Sequence, residues 1–194
     1  LRLFAYVEAF GGLRFGEAVR LERQDFEQSD DGHVTVNVTC QAQRIDGKWL
    51  IRPPKSSEGI RRVTLPEWLT PIVEDHLNRY VGVFPASKIF EPAKRETEYM
   101  SESTWSHIWR RAVKAVGITD TIRSHDLRHY FGSALADSGA GIRQLQNALG
   151  HGTARASLGY LESTHGLPST LADRLAALPE LGIPTVVQLK VKAE

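Results

Sequence analysis

Apolar residues at positions 3, 4, 7 and 10 of the opening LRLFAYVEAF fall on one face of a helix, which Gly11 and Gly12 stop. A second helix is expected from near Leu13 to about Leu21, before Asp25, Asp30, Asp31 and Gly32 mark a loop. The period then drops to two. HVTVNVTC (33–40) alternates valines with polar residues, KWLIR (48–52) is a second short run, and IRRVTLP (60–66) a third after the turn PPKSSEG. Their connections are too short for a helical crossover, so they predict a small antiparallel sheet. Helical periodicity returns in EWLTPIVEDHLNRYV (67–81), SESTWSHIWRRAVKAVG (101–117), SHDLRHYFGSALADSG (124–139) and GIRQLQNALG (141–150), each closed by Gly or a polar turn. The pattern predicts an α+β fold, mainly α-helical, with a small three-stranded antiparallel sheet inserted early.

The stretch LGHGTARASLGYLE (149–162) punctuates itself. In one unbroken helix, steps of about 100° would set His151 and Tyr160 on opposite faces. Gly150 suits a left-handed helix end, and Thr153 can cap the next helix. His151 is therefore expected in the joint, and Tyr160 toward the end of a second helix, before Ser163, Thr164 and Gly166 break the pattern.

Composition narrows the class. A chain of 194 residues with 41% hydrophobic and 24% charged residues is expected to form one soluble domain, and no apolar run approaches the roughly 20 residues of a membrane span. The first residues lack a basic n-region, a cleavage site and an initiator Met, so they do not read as a signal peptide; the chain reads as a piece of something longer. One cysteine, Cys40, leaves no internal disulfide and no CxxC metal knuckle, which fits a reducing cytoplasm. Net charge is only +1, but RPPKSSEGIRR (52–62) and the cluster Arg110, Arg111 and Lys114 are locally basic.

Candidate chemistry sits at several points. In SHDLRHYF (124–131), Ser124 is placed as an N-cap, and His125 and Arg128 at i, i+3 can present donors to one phosphate or carboxylate. On the helical wheel His125, Arg128 and His129 lie opposite Leu127, Tyr130, Phe131, Ala134 and Leu135, with Gly132 leaving space beside them. His125 and His129 also stand at the i, i+4 spacing of a zinc site, but Asp126 occupies the place a hydrolytic zinc site gives to glutamate. GGLRFGEAVRL (11–21) has neither GK[ST] nor a preceding strand, which leaves Arg14 with Glu17 one turn on rather than a nucleotide loop. Lys55 opens a turn after Pro53 and Pro54. Each alone is also what an ordinary solvated surface carries.

In order, Arg14 in GLRxGE, Lys55 before RRVTLP, HxxR at 125–128, LGH at 149–151 and Tyr160 nine residues after that histidine strongly resemble the catalytic domain of the tyrosine recombinases, the phage integrase family. HDLRHYF and LGHGTARASLGYL are close to the family's wording, and the resemblance covers roughly residues 1–165. It implies that Arg14 and Arg128 fork onto a scissile phosphate, that His125 and His151 donate further hydrogen bonds, that Tyr160 attacks phosphorus to give a 3′-phosphotyrosine, and that Lys55 is the general acid, with Glu17 in support. It implies double-stranded DNA as substrate, a homotetramer on DNA, a missing N-terminal DNA-clamping domain, no cofactor and no metal. Arg61, Arg62, Arg110, Arg111 and Lys114 are the candidate DNA contacts. Gly159 departs from the larger, often basic residue that many relatives carry there. Alternatives are a type IB topoisomerase-like relaxing enzyme, an inactive DNA-binding relative, or a helical scaffold. The catalytic domain is expected over 1–178. In the tail, 179–194, Val187, Leu189 and Val191 share one face of an expected strand, and residues 185–192 are expected to add to the early sheet in trans or in cis.

Overall fold

Helix α1 (Arg2–Gly11) buries Leu3, Phe4 and Val7 and ends where Gly12 turns left-handed at φ 61°. Phe4 anchors the core, with ring centroids 4.5 Å from Trp105 and 4.9 Å from Phe90. The computed structural model describes residues 1–54, 56–92, 97–118, 122–153 and 155–162. Lys55 and the expected tail strand lie outside the described residues.

After α2 (Phe15–Arg20) come β1 (Phe26–Gln28), β2 (Val34–Val38), β3 (Gln41–Ile45), β4 (Lys48–Arg52) and β5 (Arg61–Thr64). Strands β1, β2 and β5 form an antiparallel sheet with β2 central, so Val36 lies between Phe26 and Val63. The expected runs at 33–40 and 60–66 are thus partners, but the third strand of their sheet is β1 rather than KWLIR. KWLIR is β4, paired with β3 in a separate hairpin closed by Asp46 and Gly47 at φ 49° and 80°. Two central residues with positive φ match the twist of a tight hairpin, which explains the Asp-Gly pair.

Five helices follow among the described residues: α3 (Thr70–Tyr80), α4 (Glu102–Ala115), α5 (His125–Asp137), α6 (Ile142–Leu149) and α7 (Arg155–Glu162). Ser101 caps α4 by accepting from the Thr104 N–H at 3.1 Å, and Trp105 donates from Nε1 to Glu8 at 3.0 Å. Burial pushes the Glu8 carboxyl up to about 8, against the smaller pull of that bond. Ser124 does not cap α5 through its side chain, because it is already helical; instead the Asp126 carboxylate accepts from the Arg123 N–H at 2.8 Å. Helix α5 packs on α1, and a Cβ on Gly12 would strike the Phe131 ring. That close approach brings the start of α2 beside Arg128. Among the described residues no helix is long and apolar enough to cross a membrane.

Candidate active site

Three arginines from distant parts of the chain converge on the end of α6. Arg61 donates to the Ala148 carbonyl at 3.0 Å, Arg128 to the Leu149 carbonyl, and Arg14 to the Gly150 carbonyl at 3.1 Å. A helix end leaves its last carbonyls unpaired and carries the negative pole of the helix dipole, so it draws guanidinium groups. Gly150, at φ 61°, ends α6, and the His151 N–H closes the turn on the Gln146 carbonyl at 2.9 Å. The turn sets His151 against the arginines.

Glu17 holds two of them. Its carboxylate accepts from the Arg14 side chain at 2.7 Å and the Arg14 N–H at 2.9 Å, and from Arg61 at 3.1 and 2.8 Å. Burial alone would raise the Glu17 carboxyl, but the Arg61 hydrogen bond and charge, joined by Arg14, hold it below the usual carboxylate range. Arg61, expected as a DNA contact, is therefore a buried brace: its guanidinium is spent on Glu17 and on the Gly12, Gly59 and Ala148 carbonyls. No sequence pattern marked it apart from the other basic residues in its stretch.

Arg128, expected on a polar face, is only 3% exposed. It is drawn inward by the Gly12 and Leu149 carbonyls, and its Nη2 also lies 3.3 Å from His151 Nε2. Burial, then the Arg14 charge, pulls its guanidinium down to about 9, so it remains a cation at neutral pH that an arriving anion would stabilise. Since arginine cannot accept, His151 Nε2 takes its hydrogen bond, leaving Nδ1 to face Ser157 Oγ at 2.9 Å. Burial and then the charges of Arg128, Arg14 and Arg61 push His151 down to about 4.

Tyr160 on α7 stacks on the His151 ring with centroids 6.3 Å apart and planes 19° apart. Its hydroxyl lies 3.0 Å from His129 Nδ1. Gly132 makes the room, since a Cβ there would sit 2.5 Å from Tyr160 Cε1. Burial raises the phenol, and Arg128 and Arg14 pull it back. His125 presents its ring near-perpendicular to His129, 4.8 Å away, at the edge of an open groove. That groove, about 610 Å³, is also lined by Arg14, Gln41, Arg44 and Ser101. Gln41 and Arg44 were not singled out in the sequence because β3 carries no clear alternation.

The remaining basic candidates stay outside this cluster. Arg62 is exposed and paired with Glu27 at 2.6 Å. Arg110, Arg111 and Lys114 lie on the exposed side of α4, roughly 12 Å or more along the helix from its capped start. Among the described residues no three His, Cys, Asp or Glu side chains gather in a group able to hold a metal.

A family model described as the phage integrase family matches residues 2–165. The chain belongs to that family. It is 30% identical over 177 residues to the putative prophage phiRv2 integrase of Mycobacterium tuberculosis, covering 91% of this chain and 46% of that one. It is 26% identical over 178 residues to the integrase of Mycobacterium phage L5, covering 91% and 47%. The integrase-family chain thus spans about half the length of the curated relatives it matches. Its fold resembles the Tn1549 transposon integrase in complex with circular intermediate DNA (TM-score 0.67, 22% identity, 91% of this chain and 58% of that one). It also resembles XerA recombinase (TM-score 0.63, 21% identity, 91% and 56%).

Proposed function

We propose that this chain is the catalytic domain of a site-specific DNA recombinase that breaks and rejoins strands through a 3′-phosphotyrosyl intermediate. The observation that carries the reading is the meeting of Arg14, Arg128 and His151 at the end of α6, with the Tyr160 ring stacked on His151. A phosphodiester resists attack because its oxygens are negative, and paired guanidiniums offset the charge that grows as a fifth oxygen approaches phosphorus. Arg14 and Arg128 take that role, Arg14 held by Glu17, which Arg61 braces, and Arg128 by the Gly12 and Leu149 carbonyls. His125 donates to the phosphate, and His151 does so once the phosphate displaces the Arg128–His151 contact and the imidazole proton moves to Nε2, Ser157 then donating to Nδ1. Tyr160 supplies the nucleophile, and the phosphotyrosine conserves the bond energy, so rejoining needs no ATP. Lys55, by family resemblance, protonates the leaving 5′ oxygen.

The substrate in this reading is double-stranded DNA, engaged by a tetramer of the whole cytoplasmic protein with a further DNA-clamping domain. Arg62, Arg110, Arg111 and Lys114 serve as outer phosphate contacts, and the tail beyond residue 178 docks on a neighbouring copy. Incubating the full-length protein with plasmids carrying one or two target sites tests the function. Recombination that requires paired sites is expected. Relaxation of supercoils without strand exchange would contradict it.

A further inference from the structure

The phenol of Tyr160 must lose a proton as its oxygen bonds to phosphorus, and a base within hydrogen-bond reach has to take it. Arg14 and Arg128 have no acceptor. His151 has one ring nitrogen against Arg128 and the other against Ser157, and it meets Tyr160 face to face. Asp126 is engaged with the Arg123 N–H. His129, one residue past Arg128, lies with Nδ1 3.0 Å from the Tyr160 hydroxyl, within the reach a general base needs. Its ring is exposed at the edge of the site, with the His125 ring set edge to face against it. In the tautomer with the proton on Nε2, Nδ1 offers its lone pair to the phenol.

We infer that His129 is a catalytic residue that orients Tyr160 and accepts its proton during strand cleavage. The step balances. The Tyr160 oxygen bonds to phosphorus, the bond from phosphorus to the 5′ oxygen breaks, the phenol proton passes to His129 Nδ1, and the 5′ oxygen takes a proton from Lys55. Rejoining reverses each move, so His129 returns the proton to the departing tyrosine oxygen. The same pair explains how a nucleophile on the short helix α7 is aimed before DNA arrives: Gly132 opens the space, His151 supports the ring face, and His129 holds the oxygen.

This inference rests on the assignment of Tyr160 as nucleophile, so the test includes Tyr160→Phe. Single-turnover covalent attachment to a nicked suicide substrate is measured for the full-length protein and for His129→Ala and His129→Asn, alongside melting temperature and DNA affinity. Because the ring is exposed, both variants should fold and bind as wild type. Loss of a proton acceptor should slow attachment about 100-fold or more. Asparagine can still accept the hydrogen bond but takes up no proton, so His129→Asn should be about as slow, and added imidazole should speed His129→Ala roughly tenfold. A substrate with a 5′-bridging sulfur needs no proton on its leaving group and should not rescue either variant. A rate within about threefold of wild type for either variant, no response of His129→Ala to imidazole, or rescue by the sulfur substrate overturns the inference. If Tyr160→Phe still forms the adduct, the nucleophile assignment itself fails; if Tyr160→Phe is inert while His129→Ala is fast, only the role of His129 fails.

Discussion

Arg61 and Glu17 form a buried ion pair with two hydrogen bonds, at 3.1 and 2.8 Å. Removing one partner strands the other charge away from water, so Arg61→Ala should cost about 3–5 kcal/mol in chemical denaturation. Replacing both, as Arg61→Met with Glu17→Leu, removes the stranded charge and should recover most of that loss. Cleavage should stay impaired in the double variant, because Arg14 has then lost the carboxylate that holds it. Recovery of both stability and cleavage would show that the pair has no part in placing Arg14.

Gly132→Ala tests how closely Tyr160 is seated. Alanine in a helix interior is favoured over glycine by about 1 kcal/mol, so the helix itself should not suffer. The new methyl would lie 2.5 Å from Tyr160 Cε1, and the ring must move. A displacement of about 1 Å is enough to cost on the order of 100-fold in rate. Covalent attachment should therefore fall sharply while the melting temperature holds or rises, and an unchanged rate would mean that Tyr160 works from another position.

His151 should bind its proton only well below neutrality in the DNA-free protein. Burial and three arginine charges favour its neutral form and place its titration near 4. The sign follows from the charges: removing one should raise the midpoint toward the ordinary imidazole value of about 6.5. NMR titration of the His151 ring in wild type and in Arg128→Ala checks this. A wild-type midpoint at or above 6, or one that does not rise in the variant, contradicts the arrangement.

Much of this site is legible in the sequence because its parts are marked by local chemistry. Gly150 has a positive φ that only a few residues adopt easily, and the helix end it makes, which leaves His151 in a joint ahead of the helix that carries Tyr160, follows from that. The valines of β2 alternate, so that strand is plain. Strand β1 has three residues, too few for a period, and β3 presents only Ala42 as a buried side chain, so neither shows in the pattern, and KWLIR pairs with a strand that the alternation does not mark. Arg61 and Arg62 look alike in the chain; the alternation of β5 sends the first inward to Glu17 and the second out to Glu27. Arg128 is buried because tertiary carbonyls reward it, a reason absent from its own helix.

Lys55 and the arginines should separate by their response to the leaving group. Arg14→Ala and Arg128→Ala should slow cleavage far more than they weaken DNA binding, since their effect is concentrated in the charged transition state. Lys55→Ala should be slow on ordinary DNA and regain most of its rate on a 5′-bridging sulfur substrate, which the arginine variants should not. Equal rescue of all three would remove Lys55 from the acid role.

Tyr160 should become covalently joined to DNA during cleavage. The direct measurement is to trap the full-length protein on a substrate nicked beside the scissile phosphate, digest the adduct, and sequence the peptide bearing the nucleotide. One modified peptide is expected, carrying a 3′-phosphate ester on Tyr160, and none from Tyr160→Phe. Attachment at Tyr130, or an adduct that persists in Tyr160→Phe, would contradict it.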